Sequence, residues 1–231
     1  MTSEILKQID DLEKIMSETI IDPENKSVVI LDGIVDTDRY YSAKYKILWI
    51  LKEPNDTNLN EDGIIGNWDM RRFILDDVRG YKHWKRTYLP IVYSVWGIFN
   101  NFCLWNDMDD YDNCPEMLDV LQEIAFINIK KIPGTSRSEE YKIAQAYSLY
   151  KNIILKQIEL FSPDIIICGG TIHHLLNDLS IPFDKLQEQH YYINKNKIYI
   201  SNYHPNQRTI KQSEYCNHII NSAKEWANRA K

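Results

Sequence analysis

The sequence predicts an α/β protein, a three-layer α/β/α sandwich around a central four-stranded, mainly parallel sheet. Three observations carry that reading. Four short apolar runs, at 47–51, 125–128, 165–168 and 198–202, alternate with long stretches of helical periodicity. The run Ile47-Leu48-Trp49-Ile50-Leu51 is apolar at every position, as in a strand buried on both faces. No hairpin turn signal joins one run to the next, so the connections are crossovers and the strands lie mainly parallel.

The elements follow in order. Residues 3–18 place Ile5, Ile9, Leu12, Ile15 and Met16 on one side of an amphipathic helix, an appendage to the sheet domain. After the first strand come helical regions at about 69–79 and 89–102, the second carrying Ile91, Val95, Ile98, Phe99 and Phe102. The acidic stretch 106–116 contains Asn113-Cys114-Pro115 and reads as a loop; a helix at 116–123 then leads into Ala125-Phe126-Ile127-Asn128. Residues 132–138 form a Pro-Gly-Thr-Ser loop. Ser138-Glu139-Glu140-Tyr141 opens a long helix to about Phe161, and Ser162-Pro163-Asp164 ends it. The third strand turns at Gly169-Gly170-Thr171 into a helix at 171–179. The fourth is Ile198-Tyr199-Ile200 running into Ser201-Asn202-Tyr203-His204-Pro205, and a last helix covers about 212–229.

The chain has 231 residues, 44% of them hydrophobic, enough for one well-buried domain spanning 1–231. No apolar segment approaches the ~20 residues that span a bilayer, and residues 1–7 lack the basic start and apolar core of a signal peptide. A cytoplasmic protein without a membrane partner is expected. The four cysteines are widely separated and form no CxxC pair, which argues against a zinc ribbon or a closely spaced iron–sulfur motif. His173-His174 invites a metal, but neighbouring histidines on a helix point in different directions. No metal and no cofactor are therefore assigned.

The net charge of −6 is unlike that of a nucleic-acid binder. Locally, though, Arg71, Arg72, Arg79, Lys82, Lys85 and Arg86 face only Asp76 and Asp77, with Tyr81, His83, Trp84 and Tyr88 interleaved. That pattern fits either a basic face for a polyanion or an ordinary solvated helix surface.

In parallel sheets ligands bind beyond the carboxyl ends of the strands. Each apolar run ends there in polar chemistry: Leu51-Lys52-Glu53-Pro54-Asn55, Asn128-Ile129-Lys130-Lys131, Cys168-Gly169-Gly170-Thr171 and His204-Pro205-Asn206. In that order and over residues 45–210 the set resembles the motifs of the uracil-DNA glycosylase superfamily. There the first strand ends in GQDPY, GINPG or GEAPG, the second in a TNxVK-like asparagine, the third in LGxxA and the last in HPS. The chain departs from the pattern at Leu51, where a glycine is usual, at Asn206 in place of serine, and at Asn55 in place of the pocket-closing aromatic. It also lacks the cysteines of the iron–sulfur families, so the resemblance is to a divergent branch.

The resemblance implies a monofunctional DNA glycosylase that flips a nucleotide and hydrolyses its N-glycosidic bond, leaving an abasic site. His204 is expected to hydrogen-bond O2 of the departing pyrimidine, and Glu53 to orient water and face the cationic sugar. Asn128 carries both a donor and an acceptor for the polar edge of the flipped base, and Trp68, or Phe73 in its place, would stack on it. Lys130, Lys131, Arg137 and Arg208 would line the phosphate path with Lys82, Lys85 and Arg86. Lys52 stands as a Schiff-base candidate, a phosphate contact or a structural ion pair. Asn55 leaves room beside C5, which extends the expected substrates from uracil to 5-modified pyrimidines such as the modified cytosines of viral DNA. Repair or antiviral defence would be the corresponding role. The partner is DNA, single- or double-stranded, with no obligate protein partner evident. The competing reading is a catalytically silent nucleic-acid-binding protein on the same scaffold. An unrelated hydrolase or nucleotide-binding enzyme is disfavoured, because GxSxG and GxxxxGK[ST] are both missing.

Overall fold

A computed structural model describes residues 3–80 and 83–229. The N-terminal helix α1 (Ser3–Thr19) is followed by a small hairpin, β1 (Ile21–Asp22) and β2 (Ser27–Val28), then β3 (Gly33–Ile34), α2 (Thr37–Ser42) and β4 (Ile47–Leu51). A short α3 (Met70–Arg72) and α4 (Lys85–Phe99) precede β5 (Ala125–Asn128), the long α5 (Glu140–Phe161) and β6 (Ile165–Gly169). The chain ends with α6 (Ile172–Leu175), α7 (Phe183–Gln189), β7 (Tyr191–Asn194), β8 (Lys197–Asn202) and α8 (Gln212–Arg229).

The main sheet has six strands in the order β3-β5-β4-β6-β8-β7. The four strands expected from sequence are its inner ones and are all mutually parallel where they pair. Both outer strands, β3 and β7, are antiparallel additions that the sequence reading missed. Strand β3 has two residues and leaves no periodic signal. Strand β7 joins β8 through the two-residue turn Lys195-Asn196, with Lys195 at φ 54°. That hairpin has no glycine to announce it.

Alternation along the inner strands divides the core into two layers. Trp49, Leu51, Phe126, Ile167 and Ile200 pack toward Ile91, Val95 and Ile98 of α4 and Ile219 and Ala223 of α8. Leu48, Ile50, Ile127, Ile166 and Tyr199 pack toward Ile143, Ile154 and Ile158 of α5. The sheet is thus flanked by helices on both faces, and because both faces are buried its strands read as unbroken apolar runs.

Other expectations need adjustment. The region 69–79 is helical only as a chain of short pieces: α3, a π-helical turn at Phe73–Asp77 and a 3₁₀ turn at Val78–Gly80. The segment Pro115–Glu123 is 3₁₀ rather than α, and the helix after Gly170 has four residues rather than nine. Helix α1 is docked rather than appended. Its Met16 is fully buried, and Glu13 grips Arg71 at 2.5 and 3.0 Å.

Candidate active site at the carboxyl edge of the sheet

Strand register brings the four polar motifs to one edge. Leu51 pairs with Asn128, Ile50 with Cys168, and Gly169 with Asn202. From β4 the chain first adds β5 on one side and then crosses to β6 on the other, so the strand order reverses between β4 and β6. Such reversals open a crevice at the strand ends. Lys52, Gly170 and His204 lie together at this edge. A β-carbon on Gly170 would lie 3.3 Å from Lys52 Cε and 3.6 Å from the His204 backbone nitrogen, and Gly170 sits at φ 74°. A side chain there would be strained and would crowd Lys52.

His204 is held in one tautomer. Its Nδ1 accepts the Asn206 N–H at 3.2 Å, so in the neutral ring Nε2 carries the hydrogen. Among the described residues Nε2 has no hydrogen-bond acceptor. Burial, and secondarily the charge of Lys52, lower the pKa of His204 to about 4. At neutral pH the imidazole is therefore an uncharged donor with its proton free to give.

Glu53 has a different environment from the one expected. Its carboxylate accepts from Lys130 Nζ at 2.7 Å, and Lys130 also donates to the Pro133 carbonyl at 2.8 Å. The pair is largely buried, with side-chain exposures of 6% and 12%. Gly134 closes over it: a β-carbon there would fall 2.1 Å from Glu53 Oε2, so only glycine lets this loop approach. The loop is tied down by Gly134 N–H to Pro54 O at 2.8 Å and by Asp56 N–H to Gly134 O at 3.1 Å. The ion pair forms one wall of a cleft of about 440 Å³ that Arg137 and Lys142 also line. Lys130 is thus the counter-ion of Glu53 rather than a free phosphate contact.

Lys131 was expected beside the phosphates, and the structure places it in the core instead. It is 0% exposed, donates to both oxygens of Asp32 at 2.8 Å and to Gln157 Oε1 at 2.7 Å. Asp32 also accepts Gln157 Nε2 at 2.9 Å and the backbone N–H of Asn128 at 2.7 Å. The adjacent lysines point to opposite sides, as alternation after a strand dictates. The sequence carries no local sign of this, because Asp32 lies 99 residues away.

Asn128 is buried, with its amide nitrogen 3.5 Å from Met70 Sδ. Trp68 donates Nε1–H to Asp56 at 2.9 Å and meets Phe73 edge-on at 6.0 Å between centroids. Both candidate stackers line a second cleft, of about 850 Å³, with Asp69 and Arg72. Glu53 and Trp68 therefore face different clefts. Asn55 is exposed and bridges to Gly134 through the backbone.

The basic cluster is mostly neutralised. Arg71 binds Asp69 and Glu13, Arg79 binds Asp119 at 2.6 Å, and Lys85 binds Asp112 at 2.6 Å. Lys82 lies outside the described residues. Arg72, Arg86, Arg137 and Arg208 are exposed without an ion-pair partner among the described residues.

Sequence reasoning missed a further group. Lys52 Nζ binds Glu140 Oε2 at 3.0 Å, and His173 Nε2 and His174 Nε2 lie 2.6 and 2.8 Å from Glu140 Oε1. The adjacent histidines do not diverge as a helical spacing suggests. On this single helical turn their rings sit 4.0 Å apart and both approach one carboxylate. Although burial opposes it, His173 and Lys52 hold the Glu140 carboxyl down at about 2. Compared with models of known protein families and with curated protein sequences, the chain matches none.

Proposed function

We propose that this chain is a DNA glycosylase of the uracil-DNA glycosylase type, excising a pyrimidine by hydrolysis of its N-glycosidic bond. The observation that carries the reading is His204. It is a neutral imidazole, fixed by Asn206, with its Nε2–H uncommitted at the crevice where the strand order of the sheet reverses. As the glycosidic bond lengthens, negative charge gathers on O2 of the departing base. A preset neutral donor meets that charge without reorganising. The Glu53 carboxylate supplies the opposite charge for the cationic sugar and an acceptor for attacking water, while Lys130 holds it in place. Arg72, Arg86, Arg137 and Arg208 supply phosphate contacts. Asn55 leaves the C5 side of the base open, which supports a substrate range reaching 5-modified pyrimidines and, with it, defence against modified foreign DNA. No described helix is long and apolar enough to cross a membrane.

One observation favours the silent, DNA-binding alternative: the Glu53 carboxylate is already engaged at 2.7 Å by Lys130. An abasic-site assay separates the two readings. Single- and double-stranded oligonucleotides carrying uracil, thymine, 5-hydroxymethylcytosine or its glucosylated form are incubated with the wild-type protein, His204→Ala, Glu53→Gln and Asn55→Tyr. The glycosylase reading expects abasic sites from at least one base, cut ~10²–10³-fold by His204→Ala with DNA affinity nearly unchanged. DNA binding with no abasic product from any base selects the silent reading. Excision confined to uracil and unaffected by Asn55→Tyr refutes the open C5 side.

A further inference from the structure

We propose that Glu140, His173 and His174 form a binding site for a divalent transition-metal ion of the zinc class. Two imidazoles and one carboxylate are the ligand set of many three-residue zinc sites that leave a fourth position to water. Here the three donor atoms already converge: His173 Nε2 and His174 Nε2 stand 2.6 and 2.8 Å from the same oxygen of Glu140. Ligands at ~2.1 Å in a tetrahedron are separated by roughly 3.4 Å. The donors therefore need to open by only about 0.6–0.8 Å to admit an ion.

The second observation is an unsatisfied atom. The His174 side chain is only 8% exposed, and its buried Nε2 makes no hydrogen bond despite its approach to Glu140. A buried imidazole nitrogen without a partner is costly, and a metal ion satisfies it. The surroundings hold the ligands in place. His174 stacks on Tyr147 at 6.0 Å and 27°, and Tyr147 donates to Asp178 at 2.9 Å. Lys52 occupies Glu140 Oε2, leaving Oε1 for the ion. It thereby plays the part of the outer hydrogen-bond donor that orients a ligating carboxylate. Metal-free, the His173–Glu140 hydrogen bond closes the site. Metal-bound, both nitrogens and Oε1 turn to the ion, and each ring keeps its hydrogen on Nδ1. The ion ties the first turn of α5 to α6.

The test is direct metal binding, so it stands or falls apart from any glycosylase activity. Chelator-stripped wild-type protein is titrated with zinc against a chromophoric chelator, and with cobalt to read its visible spectrum. One equivalent is expected, with the intense bands of four-coordinate cobalt. His173→Ala, at a half-exposed position that leaves the core intact, and Glu140→Gln should each weaken binding by more than the ~10–100-fold that loss of an outer partner costs. The proposal is overturned if no stoichiometric zinc binds at micromolar concentration. Wild-type affinity in both variants, or only the weak spectrum of six-coordinate cobalt, overturns it as well.

Discussion

Replacing Lys131 with methionine tests whether this lysine serves the core or the DNA. The side chain is fully buried and makes three short bonds, two to Asp32 at 2.8 Å and one to Gln157 at 2.7 Å. Removing one partner of a buried ion pair leaves an uncompensated charge and costs ~3–5 kcal/mol. Asp32 keeps two donors, the Gln157 amide and the Asn128 N–H, so the lower end, about 3 kcal/mol, is expected. For a chain of this length that lowers the melting temperature by roughly 6–12 °C. Adding Asp32→Asn removes the stranded charge and, after rotation of the Gln157 amide, restores a hydrogen bond. The double variant should therefore be more stable than Lys131→Met alone. Urea unfolding of the wild type and the two variants reads these differences, and a salt titration of DNA binding reads the other possibility. A cost under about 1 kcal/mol, with the slope of log K against log salt reduced by ~0.9, would refute the core assignment and return Lys131 to the phosphates.

Three further outcomes follow from the site. Gly134→Ala places a methyl 2.1 Å from Glu53 Oε2, so it should drive the carboxylate off Lys130 and reduce cleavage as Glu53→Gln does; full activity in single-turnover assays would remove the pair from the chemistry. Protonation of His204 would take away the Nδ1 lone pair that accepts the Asn206 N–H and so release the ring, and its pKa is lowered from the ordinary 6.5 to about 4, so cleavage should be flat through neutral pH and fall below about pH 4; loss of activity already near pH 6.5 would contradict that depression. The same depression makes its stability contribution complete above pH 6.5 and lost as pH falls from there through about 4, visible as a drop in melting temperature that His204→Ala abolishes. Arg86→Ala should flatten the salt dependence of DNA binding by ~0.9, whereas Lys85→Ala, which frees Asp112, should change it differently; equal slopes for both would place the ion pair outside the DNA footprint.

The inner sheet was legible because a strand buried on both faces needs no long-range information: Ile47–Leu51 and Ile165–Cys168 announce it by being apolar throughout. Edge strands carry only half of that signal. Gly33–Ile34 is too short to be periodic, and Tyr191–Asn194 is half exposed, so neither was found. The polar strand ends were legible for the same reason as the strands, since parallel order puts all carboxyl ends on one edge. Partnership at that edge was not. Lys130 and Lys131 are neighbours of identical chemistry, yet one meets Glu53 and the other Asp32, because alternation sends them to opposite sides and the acids arrive from distant segments. Likewise His173-His174 looked divergent until Glu140, 33 residues earlier in the chain, supplied the point on which both converge. Composition and periodicity thus determined the layers, the inner strands and the edge where chemistry collects. Which charge meets which was decided only by tertiary packing, because a side chain's partner depends on direction in space and not on distance along the chain.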